Sequence, residues 1–182
     1  MRRFWVFVVG LMALLLLLFT VVEALDVDLL VDPSPWLASA SVAAAAIGVG
    51  LLVVDVILPV PWSLVMIALG SLFGLGVGAA LAFVGTVGAG LVGFAVGRGG
   101  EDILNRFIGP EEQARADRLI ERWGLLAIAL TRWVPILAET TAIVAGTSRI
   151  RWPAAFAAVA IGSLPVAIVF AYLGAAGASA IR

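Results

Sequence analysis

The sequence predicts an all-α, polytopic helical membrane protein, and three observations carry that prediction. Of 182 residues, 63% are hydrophobic and 13% are charged, whereas a soluble domain runs at about 45–50% and about 25%. The charges are also confined. Uncharged runs cover 4–22, 36–54, 56–97 and 152–181, and about 20 apolar residues in a helix cross a bilayer core roughly 30 Å thick. Finally, where a charge does interrupt the apolar pattern, a proline stands within about one helical turn of it. Asp55 precedes Pro59 and Pro61, and Pro135 lies between Arg132 and Glu139.

The first element is a helix over Phe4–Val22, introduced by Arg2 and Arg3. That charge pair favours a cytoplasmic N-terminus. Val22-Glu23-Ala24 also reads as a small-residue cleavage site, but the apolar run exceeds a typical signal core, so an uncleaved helix is expected. Residues 23–35 carry Glu23, Asp26, Asp28 and Asp32 with Pro33 and Pro35, which fits a solvated extracytoplasmic loop. Residues 1–35 thus form an N-terminal anchor and loop, and residues 36–182 the main membrane domain.

A second helix runs from Trp36 to Val54 and ends at Asp55, because Pro59 lacks an N–H and biases Leu58 away from helical geometry. The 42 uncharged residues from Val56 to Gly97 exceed one span. They fit either two full spans or a short re-entrant arm followed by one span. Gly70, Gly74 and Gly78 recur every four residues, as do Gly85, Ala89, Gly93 and Gly97. That spacing lines small residues along one helix face and lets backbones approach closely.

Residues 98–123 are the only long polar stretch, with five Arg and six acids between 98 and 122. Apolar residues at Ile103, Leu104, Phe107 and Ile108, and again at Leu119, Ile120 and Trp123, predict a cytoplasmic amphipathic segment lying in the interface. Its net charge of −1 disfavours nucleic acid as a partner. Then comes Thr131 to Gly146, almost entirely apolar yet holding Arg132, Pro135 and Glu139. A charge at bilayer depth costs roughly 2.5–3.5 kcal/mol, and a mid-segment proline breaks the helix. Both are tolerated where protein or a wet cavity surrounds them. A broken intramembrane segment handling a polar ligand is therefore expected. Arg149, Arg151 and Trp152 mark a membrane edge, and a last helix runs to Ile181. If 124–148 form a hairpin, that helix leaves outward; if they span, it returns inward.

The residue inventory excludes much chemistry. Cys and His are absent, which removes disulfides, thiolate chemistry, the usual zinc sites and imidazole catalysis. Lys is absent too, so there is no ATP-binding Gly-rich loop of the Lys-containing kind. No cofactor is expected, and a membrane enzyme is disfavoured. Arg132 stays charged and can grip a phosphate with two parallel hydrogen bonds. Asp55 and Glu139 are candidate proton carriers. The plainer readings are that Arg132 and Glu139 lie two turns apart on one helix and pair with other partners, and that Asp55 caps a broken helix or sits at an interface. There is also a loose internal echo: Asp55, Pro59, Pro61 and Gly70 against Arg132, Pro135 and Gly146. Paired broken segments in two halves of a chain point to a transport site near mid-membrane.

These residues carry a resemblance. Asp55 with Leu58-Pro59-Val60-Pro61 and Gly70, then Gly97-Arg98, then Arg132-Trp133-Val134-Pro135 and Ala145-Gly146 resemble the signatures of the DedA superfamily, whose domain is also called the VTT or SNARE-associated Golgi protein domain. The resemblance covers about residues 40–175. It departs from many bacterial members at Ser63 and Ala138, where an acid and a second Arg are usual, and Glu139 is not the usual residue. The resemblance implies two opposed re-entrant hairpins in a small helical bundle. It also implies translocation of an anionic lipid, a phospholipid or undecaprenyl phosphate, with proton coupling as a further expectation. The substrate path would involve Asp55, Pro59, Pro61, Arg132, Pro135, Glu139 and Gly146. The alternative is a proton-coupled transporter of small solutes or ions; a structural or assembly role would need no transport site. A composition rich in Ala, Gly, Val and Arg suggests a GC-rich bacterial source, hence the inner membrane, with lipids as partners and a homo-oligomer allowed by the Gly-rich faces.

Overall fold

The computed structural model describes residues 2–24, 40–58, 60–100 and 122–180. Six helices account for nearly all of them. They are α1 (Arg2–Ala24), α2 (Val42–Val54), α3 (Trp62–Gly99), α4 (Arg122–Thr131), α5 (Pro135–Gly146) and α6 (Trp152–Ala180). No strand occurs among the described residues. The all-α class therefore stands. Most of the predicted acidic loop, most of the amphipathic segment at 98–123, and Pro59 lie outside the described residues.

The chain divides into two compact units, residues 18–89 with 163–182 and residues 1–17 with 90–162. In the first of these, α2 begins at Ser41, whose hydroxyl accepts the Ala44 N–H at 3.1 Å, closing one of the four donors a helix start leaves open. Its 13 residues rise only about 20 Å. The long element α3 is not one rod. Gly74 sits at φ 74°, ψ 174°, a region essentially reserved for glycine. A Cβ on Gly78 would meet the Gly70 Cα and the Leu69 O, each at 2.7 Å. Eight residues apart in a straight helix, Gly70 and Gly78 would be separated by about 12 Å. The chain therefore reverses at Gly74, leaving a short arm, 62–73, and a long helix, 75–99.

This corrects one sequence expectation. The Gly70, Gly74 and Gly78 spacing does not line one helix face. Gly74 makes the reversal, and Gly70 and Gly78 meet across it. Of the two options for 56–97, the structure shows the short arm followed by a long helix. The arm packs against α6: a Cβ on Gly70 would lie 2.2 Å from the Ala171 O, and one on Gly174 would lie 1.9 Å from the Ile67 O. Trp62 meets Phe170 edge to face with centroids 4.9 Å apart. Leu52, Val65, Met66, Leu69, Ala82, Val166 and Ala167 form this unit's core. The Gly85 backbone lies against Leu52 and that of Gly88 against Val53, so the early part of the long helix packs on α2.

The other unit repeats the pattern. Two short helices, α4 and α5, are separated by a break at 132–134 and followed by the start of α6. Here a Cβ on Gly162 of α6 would fall 2.3 Å from the Ala129 O of α4. Small residues thus set the helix spacing in both units, as expected where lipid offers no hydrophobic drive for association. Two helices, Trp62–Gly99 and Trp152–Ser179, are apolar and long enough to cross a membrane. After the Gly74 reversal, the 75–99 part still rises about 37 Å.

Candidate functional site

Each unit carries one break, and each break carries one of the predicted charges. Asp55 directly follows α2, its own N–H donating to the Leu51 O at 3.1 Å. Its carboxylate Oδ1 accepts the Val60 N–H at 2.8 Å. Prolines at 59 and 61 have no N–H, so Val60 supplies the one main-chain donor of that tripeptide, and Asp55 takes it. Val60 is 2% exposed, a depth at which an unmade hydrogen bond is costly. Pro61 then starts the arm, its carbonyl accepting the Leu64 and Val65 N–H groups at 2.9 and 3.2 Å. Ile57 and Leu58 are exposed at the tip.

In the second break Thr131 ends α4, Arg132-Trp133-Val134 turn, and Pro135 opens α5, where its missing N–H costs nothing. Arg132 is 9% exposed. Its Nη2 donates to the Ala138 O at 2.8 Å. The Thr141 hydroxyl lies 3.1 Å from that same carbonyl and donates to it. The Thr131 and Thr141 hydroxyls stand 2.8 Å apart, which joins α4 to α5 beside the guanidinium. The far side of the guanidinium is shaped by α3: a Cβ on Gly90 would approach the Arg132 Nη1 to 2.9 Å and the Val159 Cγ1 to 2.6 Å. Glycine at 90 leaves room for the Arg132 Nη1 and Val159 beside α3. Glu139 is half-buried one residue beyond Ala138 on α5.

The structure therefore gathers Arg132 with Thr131, Thr141 and Gly90; Glu139 stands next to Ala138 in sequence on α5. Asp55 and Pro61 form a tip of their own in the other unit. Gly146 lies at the far end of α5, about 16 Å along the helix from Pro135, with its Cα against the Phe94 O and Arg98 N. Thr131, Thr141 and Gly90 were missed in the sequence. The threonines had a faint signal, as hydroxyls beside a buried charge in an apolar run. Gly90 had none, being one of 20 glycines. Among the described residues no group of three or more His, Cys, Asp or Glu is placed to hold a metal.

Chemically, the second break offers a fixed positive charge, hydroxyls that donate or accept, and an exposed apolar rim of Trp133, Val134 and Leu137. Such a set suits an anion attached to something greasy. The sequence profile described as the VTT domain matches residues 60–176. No curated protein and no solved structure matches the chain.

Proposed function

The chain belongs to the DedA family, the family of the VTT domain, and is a membrane protein; on that premise we propose that it is a transporter that moves an anionic lipid between leaflets. The lipid is a phospholipid or undecaprenyl phosphate, and the membrane is the inner membrane of a bacterium, crossed several times. One observation carries this reading: a buried arginine seated at a helix break. Neither α4, with 10 residues, nor α5, with 12, crosses a core of roughly 30 Å, since they rise about 15 and 18 Å. Arg122-Trp123 opens the pair, and Arg149, Arg151 and Trp152 follow it. Arg and Trp are markers of membrane interfaces. The pair therefore reads as a hairpin that enters and leaves by one face and carries Arg132 to its tip. By the same length argument, α2 and the arm 62–73 read as a second hairpin, with Asp55 at its tip.

In this reading Arg132 holds the headgroup phosphate, for which a planar guanidinium is well matched. The Thr131 and Thr141 hydroxyls, which donate to the Ala127 and Ala138 carbonyls, hold the break around it. Acyl or prenyl tails stay in lipid along the exposed Trp133, Val134 and Leu137. Asp55 or Glu139 compensates charge or carries a proton.

The test uses purified protein in liposomes with a headgroup-labelled anionic phospholipid and a membrane-impermeant quencher. Full loss of signal in the parent and loss of about half in Arg132→Ala, the fraction set by the outer leaflet alone, are the expected results. Half-loss in both overturns phospholipid movement. Undecaprenyl phosphate is then the next substrate, and small solutes follow if it too stays put.

A further inference from the structure

We propose that Arg98 is a positioning residue. It fixes the C-terminal base of α5, so that adjustment of this helix is confined to the end that bears Arg132. Arg98 stands in the last turn of α3. Its Nη1 donates to the Ser148 O and its Nη2 to the Ile150 O, across some 50 residues of chain. Those carbonyls belong to the turn between α5 and α6, just past a helix end whose own carbonyls lack intrahelical partners. A guanidinium fork can hold two such groups at once; an ammonium is a point charge.

The clamp is backed by an aromatic pair and by close backbone contact. The Arg98 Cζ lies 5.0 Å from the Phe94 ring centroid. Phe94, 1% exposed, meets Trp152 edge to face at 4.8 Å. Beneath them the backbones of α3 and α5 touch. A Cβ on Gly97 would stand 1.9 Å from the Ile143 O, and one on Gly146 would stand 2.2 Å from the Phe94 O. Thr147, Ser148 and Ile150 are buried at 5%, 2% and 7% exposure. At the other end of α5, Trp133 and Val134 are each 48% exposed. One end of the helix is sealed by backbone contact and charge-assisted hydrogen bonds; the other is held by the side-chain hydrogen bonds of Arg132, Thr131 and Thr141, without such backbone contact among the described glycines.

The chain has no Cys, so site-directed spin labels report cleanly. One label pair, Trp133→Cys with Phe156→Cys, reads the α5 tip against α6. A control pair, Leu64→Cys with Leu173→Cys, reads the other unit; all four side chains are exposed. Electron–electron distance distributions are recorded for the full chain in nanodiscs of phosphatidylglycerol and phosphatidylethanolamine. Arg98→Gln is expected to widen the tip distribution about twofold and to leave the control unchanged. Arg98→Lys is expected to fall between Gln and parent, having charge without the fork. An unchanged tip width in Arg98→Gln overturns the proposal, as does equal widening of both pairs. Should Arg98→Gln fail to fold, a parent-like width in Arg98→Lys overturns it. The readout is a distance, not lipid movement, so the clamp and the transport reading fail separately.

Discussion

The Asp55 break and the Arg132 break solve one problem with opposite charges. In both, a short helix stops, a proline stands at the start of the next helix, and a charged side chain reaches five or six residues forward to tie the backbone beyond the break. A carboxylate only accepts hydrogen bonds and a guanidinium only donates. Asp55 therefore ties an N–H, that of Val60, whereas Arg132 ties a C=O, that of Ala138. The surroundings differ too. Asp55 has apolar sequence neighbours at Val56, Ile57 and Leu58. Arg132 is flanked by two threonine hydroxyls and backed by a glycine. The Asp55 tie builds a turn; the Arg132 tie builds a turn within a polar cluster.

The largest effect should come from Arg132→Ala. Loss of charge-assisted hydrogen bonds of about 1.5–3 kcal/mol predicts roughly a 10- to 100-fold slower lipid movement, read by the quenching assay. Arg132→Lys should lose about tenfold, because charge remains but the fork does not. Equal rates for Arg132→Lys and the parent would reduce Arg132 to a turn-building tie like Asp55.

Next comes Gly90→Ala, which drives a Cβ toward the Arg132 Nη1 and Val159. Overpacking of about 1–3 kcal/mol should slow lipid movement by about tenfold. The part of the loss that comes from crowding Arg132 should vanish in an Arg132→Ala background, while the part from the closer Val159 contact persists, a partial non-additivity that a double-mutant cycle measures. Full additivity would mean that Gly90 serves general packing.

At the other break, Asp55→Ala leaves the buried Val60 N–H unsatisfied and should cost about 1–3 kcal/mol of stability. Asp55→Asn keeps an acceptor oxygen and should retain most of it, as thermal unfolding in detergent would show. If Asp55→Asn keeps stability but flattens the pH profile of transport, Asp55 carries a proton as well as a turn, and the contrast between the breaks narrows. Smallest is Thr141→Val, which removes the hydroxyl shared with Thr131 and the Ala138 carbonyl. About 0.5–1.5 kcal/mol is expected, again by thermal unfolding.

The breaks themselves were legible because they rest on covalent facts. Proline has no N–H wherever it stands, and a charge in a long apolar run demands a partner whatever the fold. Asp55 with Pro59 and Pro61, and Arg132 with Pro135, could therefore be read from the chain alone, as could the all-α class. The Gly74 reversal could not, because a repeat of four looks the same whether the middle glycine continues a helix or ends it. Gly90 was silent for a related reason: its importance is the guanidinium beside it, 42 positions along the chain. Arg98 was visible as the close of a helix, but the carbonyls it clamps lie far along the sequence and belong to backbone, which carries no residue signature.

At Gly74 no atom beyond the adjoining stretch of chain stands within 4 Å of the place a Cβ would occupy. Room is therefore not what excludes a side chain there. The mirror image of its dihedral pair falls in the ordinary extended well of an L-residue, so the constraint is one of chirality. L-Ala at 74 should strain the reversal by about 1–3 kcal/mol, while the backbone of a D-residue, introduced by semisynthesis, would sit at rest. The direction in which the chain turns back on itself is thus held by the absence of a stereocentre at one position.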